Sequence, residues 1–202
     1  MCGRYTLRDS LKVSARFGID LKASYNIAPS NSVLTITDQP QLMKWSYNPS
    51  WAKKPMNLIN ARSETLKEKP SFKMAKRCLI VADGWYEWLK QDQKKQPYYL
   101  HMGGELFFFG GIYNEYNGEN GCAIVTREAS EELSQVHARM PVILHYDEGE
   151  GWLKGYDLFD STLHESIHFY AVSTMVNSPI NNDVRCIDPF AKKLTLASAK
   201  IR

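Results

Sequence analysis

A cysteine stands second in the chain, in MCGRYTLR. Removal of Met1 would leave Cys2 with a free α-amine and a thiol two carbons apart. Their ordinary pKa values, about 8 and about 8.5, make both reactive forms accessible near neutrality. Such a pair can trap an aldehyde. The amine forms an imine, then the thiolate adds to the imine carbon and closes a five-membered thiazolidine. The second step is intramolecular and gains from a high effective concentration. Taken alone, Cys2 is better read as an accident of the translation start.

Three further stretches could do chemistry. In LINARSE, strand alternation puts Asn60 and Arg62 on one face. An amide that donates and accepts, beside a guanidinium, could grip a sugar-phosphate; Asn60 could also simply close a strand-to-helix junction. In ADGWYEW, Glu87 lies between Tyr86 and Trp88. Desolvation there would raise its pKa and suit it to general acid–base work, whereas an edge strand would leave it facing water. In VHARMPVIL, His137 ends a helix and Arg139 precedes an apolar strand. Imidazole is the usual proton shuttle near pH 7, but a histidine at a helix C-terminus also serves as a dipole partner.

The elements that must position these groups are mostly short strands. A short amphipathic helix is expected near 9–17, then a hairpin of SVLTIT and QLMKWSY around DQP, and a strand at MNLINA. A polar helical stretch, SETLKE, stops at Pro70. Strands follow at CLIVAD, WYEWLK, PYYLHM, LFFFGGIY and CAIVT, a helix at EASEELSQV, and strands at MPVILH and HFYAVS, with a short helix around GEGWL. No repeat or linker interrupts the 202 residues. The pattern predicts one α+β domain over 1–202, mostly antiparallel, with a barrel-like core and short peripheral helices.

Composition narrows the class. No apolar run nears the roughly 20 residues that span a bilayer, and no signal-peptide pattern opens the chain. The four cysteines form no CxxC pair and no zinc spacing, which predicts reduced thiols, a cytoplasmic setting and no structural metal. The net charge of +3 conceals an asymmetry. Residues 44–77 hold nine basic side chains against Glu64 and Glu68, whereas residues 78–202 hold eleven basic and seventeen acidic. The basic segment also carries Trp45, Tyr47, Trp51 and Phe72. Cations interleaved with rings suit single-stranded nucleic acid; a solvated basic face over core aromatics has the same composition.

Taken in order, the blocks MCGRY, YNIAP, W-x-x-x-P-S-W-A-K, NARSE, RCLIVADGWYEW, AIVT, VHARMPVIL and VNSP run from residue 1 to about 190. Together they resemble the SOS response-associated peptidase (SRAP) family, whose members shield abasic sites in DNA. The resemblance implies a monomer with a positively charged groove for single-stranded DNA and no cofactor. It implies a thiazolidine crosslink between Cys2 and the ring-opened abasic aldehyde, with Asn60, Glu87 and His137 in the active site. Arg4, Arg62, Thr126 and Arg139 fall in blocks that contact DNA in the family, and Trp45 or Trp51 would stack a base. Replication-fork partners and, in a bacterium, association with the nucleoid would fit the same role. Ser46, Val81, Trp85 and Ala52 depart from residues common in the family; none removes a catalytic group.

On this resemblance His137 would move protons during ring opening, Glu87 would exchange them with the Cys2 amine and carbinolamine, and Asn60 would orient sugar or amine. Some abasic-site lyase activity and self-processing that removes Met1 are also expected. Two rivals stay open: a thiol peptidase using Cys2 with His137 as base, and a non-covalent single-strand-binding module.

Overall fold

The computed structural model describes residues 2–91, 94–159 and 167–190; Met1, whose removal is expected from the sequence, lies outside them. In chain order the elements are β1 (Tyr5–Leu7), α1 (Ser10–Phe17), β2 (Ser24–Ile27), β3 (Ser32–Ile36), β4 (Pro40–Trp45), β5 (Asn60–Arg62), β6 (Lys76–Ala82), β7 (Gly84–Gln91), β8 (Lys94–His101), β9 (Phe107–Tyr116), β10 (Glu119–Glu128), α2 (Glu131–Ser134), β11 (Arg139–Pro141), β12 (Ile143–Leu144), α3 (Gly149–Leu153) and β13 (His168–Ala171).

Two sheets carry the fold. One is ordered β13-β8-β7-β1-β2 and is antiparallel throughout. The other is ordered β11-β10-β4-β3-β6-β9-β12, with β5 added to β10. In it β10 bonds antiparallel to β9 and parallel to β4 and β5. The pairings β10–β4–β3–β6–β9–β10 therefore close a circuit of five strands. Among the described residues no single barrel takes in both sheets.

The longest apolar runs make the interior. Cys78–Ala82 of β6 are all buried, as expected for a strand covered on both faces. Trp152 of α3 lies against this sheet, its indole N–H donating to Cys78 O at 2.9 Å. Tyr5, Trp45, Trp85, Phe107 and Phe109 pack edge-to-face between the sheets. At the start of α1, Asp9 accepts from Lys12 N–H at 2.9 Å; at its end Gly18 turns left-handed at φ 67°.

Several elements differ from the sequence expectation. The strand expected at MNLINA is confined to β5, because Asn57 has a positive φ of 50° and Leu58 makes only an isolated bridge to Tyr47. MPVILH divides into β11 and β12, which pair with different strands, β10 and β9. The helix expected at 128–136 shrinks to α2, since β10 keeps the chain extended to Glu128. SETLKE gives only a 3-10 turn at Ser63–Thr65.

Candidate active site

Cys2 continues the line of β1 beside β7. Tyr5 pairs with Trp85 and Thr6 with Gly84, and Tyr86 N–H donates to Arg4 O at 3.0 Å. Extending that register places Cys2 next to Glu87 and Trp88. Cys2 is fully buried, and its thiol lies 3.8 Å from the Arg4 carbonyl oxygen. Burial, reinforced by the charge of Glu87, holds the thiol well above its ordinary pKa. It therefore rests protonated and needs a base before it can attack.

Asn60 approaches from the other sheet. The parallel pairing of β5 with β10, Asn60 opposite Ile124, sets its position. Asn60 Nδ2 donates to Cys2 O at 2.8 Å. Asn60 Oδ1 is buried and accepts no hydrogen bond among the described residues. One amide thus ties the sheets together and keeps an acceptor in reserve beside Cys2.

Glu87 is 3% exposed, and burial raises its carboxyl to about 7. Both of its protonation states are populated at neutral pH. It borders a cleft of about 600 Å³, with Trp88, Lys90, Lys95, His137 and Asn177 as the other lining residues. His137 lies between α2 and β11, and its N–H donates to Leu133 O at 3.1 Å. Arg139 N–H donates to His137 Nδ1 at 3.0 Å, and Arg139 O is 3.2 Å from the same nitrogen. Nδ1 is therefore engaged by backbone. Burial lowers the imidazole pKa and favours the neutral ring.

The arginines and rings have more divided positions. Arg4 is fixed to Asn26 Oδ1 (3.1 Å), Val176 O (2.9 Å) and Asn177 O (3.3 Å). Asn177 also accepts from the Trp88 indole at 2.8 Å, so Arg4 braces one wall of the cleft. Arg139 makes a two-pronged pair with Glu64, at 2.5 and 3.0 Å, and donates to Thr126 O at 2.7 Å. That pair pulls the Glu64 carboxyl down to about 2. Arg62 is exposed and makes no side-chain hydrogen bond or ion pair among the described residues.

Two positions expected to touch DNA are internal here. Trp45 has no exposed surface, and its indole donates to Ile59 O at 2.9 Å. The reason is strand parity, which turns it toward Tyr5 in the core. Thr126 is likewise fully buried, with its hydroxyl 3.4 Å from Ala61 O. Trp51 is the accessible ring, 58% exposed, its indole donating to Pro70 O at 3.3 Å.

The sequence expectation did not include Trp88, Lys90, Lys95 or Asn177 in the site. For Trp88 and Lys90 a signal was present: both follow Glu87 on one strand, two residues apart and so on one face. For Asn177 the only signal was its place in the VNSP block; it reaches the cleft from a distant 3-10 turn at Thr174–Asn177. Among the described residues no group of three or more histidine, cysteine or carboxylate side chains is placed to hold a metal ion. None of their helices is long and apolar enough to cross a membrane.

The chain is 36% identical over 222 residues to "Abasic site processing protein YoaM" of Bacillus subtilis, covering 93% of this chain and 98% of the relative. Its identity to "Abasic site processing protein YedK" of Escherichia coli is 31% over 178 residues, covering 76% of this chain and 80% of that protein. A crystal structure of a protein from Bacteroides thetaiotaomicron superposes with a TM-score of 0.81 at 25% identity, covering 94% of this chain and all of that one. The model of the family described as "SOS response associated peptidase (SRAP)" matches residues 1–184. With that match over nine-tenths of its length, the chain belongs to the SRAP family.

Proposed function

We propose that the chain processes abasic sites in single-stranded DNA, using Cys2, after removal of Met1, to form a thiazolidine with the ring-opened sugar. The observation that carries the reading is the seating of Cys2 between two sheets, held by Asn60 at 2.8 Å beside a buried carboxyl whose pKa is about 7. The names of the relatives support the substrate.

The steps balance. His137 moves the proton that opens the sugar hemiacetal, and the Cys2 amine adds to the aldehyde carbon. Protonated Glu87 gives its proton to the departing carbinolamine hydroxyl, which leaves as water and yields the imine. Glu87, now a carboxylate, takes the thiol proton, and the sulfur adds to the imine carbon. Asn60 Oδ1 accepts from the amine or from a sugar hydroxyl. Glu87 thus serves in both directions, which its pKa permits. Ring closure competes with β-elimination of the strand and suppresses it.

The test is intact mass after mixing the Met1-free protein with an abasic oligonucleotide, an undamaged one and a peptide. The expected outcome is a heat-stable adduct with the abasic strand alone, absent in Cys2→Ala and absent when an N-terminal tag is retained. A tagged protein that still forms the adduct would sink the thiazolidine chemistry. Cleavage of the peptide would favour the peptidase. Salt-sensitive binding of both strands without any adduct would favour the non-covalent module.

A further inference from the structure

The cations that border the cleft come from a part of the sequence outside the basic segment. Of residues 44–77, Lys67 and Arg77 are both bound to Asp157. Arg77 also lies 3.9 Å from the Trp152 ring centroid, and Lys44 lines a separate polar cleft with Asn120 and Gly121. None of the segment's residues lines the cleft at Glu87 and His137. Lys90 and Lys95 do.

These two lysines face each other. In the β7–β8 ladder Lys90 is the direct partner of Lys95, next but one to Trp88 opposite Pro97. Like charges in directly opposed positions weaken an antiparallel pair. Both side chains are exposed, and neither makes a hydrogen bond or ion pair among the described residues. The sequence here, KQDQKKQ, holds three lysines and one aspartate, so the hairpin is locally basic within the acidic part of the chain. The cleft's own carboxyl, Glu87, is only partly ionised at neutral pH and leaves the two charges largely uncompensated. Two ammonium groups on flexible stems suit a polyanion passing the mouth of the cleft better than a fixed small ligand.

We infer that Lys90 and Lys95 are positioning residues that hold backbone phosphates of the strand delivering its sugar to Cys2. The inference deepens the proposed function and rests on it for the identity of the strand. The lysines touch phosphate and leave the reacting atoms to Cys2, Asn60, Glu87 and His137. They should set how much strand binds and leave the chemical step alone.

The experiment uses Lys90→Ala/Lys95→Ala, with Lys22→Ala/Lys154→Ala as an equal charge change at lysines that do not line the cleft. Affinity for undamaged oligothymidylate is measured against salt. Loss of two phosphate contacts should reduce the log–log slope by about 1.4, so the deficit relative to the parent shrinks about sevenfold between 50 and 200 mM salt. With an abasic oligonucleotide, the concentration giving half-maximal crosslinking should rise while the maximal rate holds. Reaction with free 2-deoxyribose, which has no phosphate, should be unchanged. A parent-like slope in the cleft variant, or an equal loss in the control variant, would overturn the inference. Failure of the parent protein to react with either aldehyde would instead sink the proposed chemistry, and the oligothymidylate arm would still judge the lysines.

Discussion

Burial that raises Glu87 to about 7 has a consequence for stability as well as for proton transfer. A carboxyl whose pKa is higher folded than unfolded favours the fold below its unfolded value, near 4.5, and that contribution is lost as pH rises through about 7. The full shift corresponds to about 3 kcal/mol. Glu87→Gln, which keeps the shape without the charge, should therefore melt above the parent protein at pH 8, with the difference fading toward pH 4. The same variant should crosslink about 10²- to 10⁴-fold more slowly, as expected on removing a general acid–base group. Parallel melting curves at all pH values would mean that the carboxyl is not desolvated. A parent-like rate would remove Glu87 from the mechanism. His137→Ala should slow crosslinking while leaving affinity for undamaged strands nearly unchanged; equal losses in both would give it a binding role. At this scale the residue types were legible in the sequence, because Cys2, Asn60, Glu87 and His137 carry chemistry wherever they stand. Exposure was not legible. Trp45 and Trp51 look alike in composition, yet parity buries one and a loop exposes the other.

The strand β7 shows what an element must supply. It begins at Gly84, where a Cβ would come within 2.2 Å of the Tyr99 hydroxyl. That hydroxyl is 3.1 Å from Thr6 Oγ1, and Asp83 beside it accepts from Arg8 N–H at 2.6 Å. The neighbours have no room to yield. Gly84→Ala should cost about 1–3 kcal/mol through overpacking, shift Cys2 relative to Glu87, and slow crosslinking. Unchanged thermal unfolding would show that Tyr99 relaxes freely. Asp83-Gly84 thus does more than turn the chain: it locks β1 against β7. The long alternating or apolar runs, β3, β4, β6, β9 and β10, were legible because burial periodicity is written in their residues. The three-residue strand β1 was not, since non-local pairing alone holds it extended, and β5 was legible only as the end of a longer expected strand.

Across the whole molecule, charge asymmetry was visible in composition, but its placement depended on the fold. Exposed Arg62 and Trp51 remain suited to a strand, whereas Arg139 is held by Glu64 and Arg77 by Asp157. Binding should favour single strands over duplex, because extruding a nucleotide from a duplex costs a few kcal/mol. Arg62→Ala should flatten the salt dependence by about 0.7 in log–log slope and weaken all sequences alike. Affinity titrations against salt, with both strand forms, check this. Equal affinity for duplex and single strand, or no salt dependence, would leave 44–77 a solvated face.

Synthesis runs in one direction, and the site is assembled against it. Cys2 leaves the ribosome before every partner it needs: Asn60 lies 58 positions later, and Arg4 waits for Val176, 172 positions beyond it. At about 5–20 residues per second, the nascent N-terminus spends roughly 10–35 s without its final supports. Cys2 is thus made before its supports and is among the last residues to be seated. On the proposed chemistry, a free aldehyde that met a stalled or slowly translated chain would consume Cys2 before any fold exists to guide it.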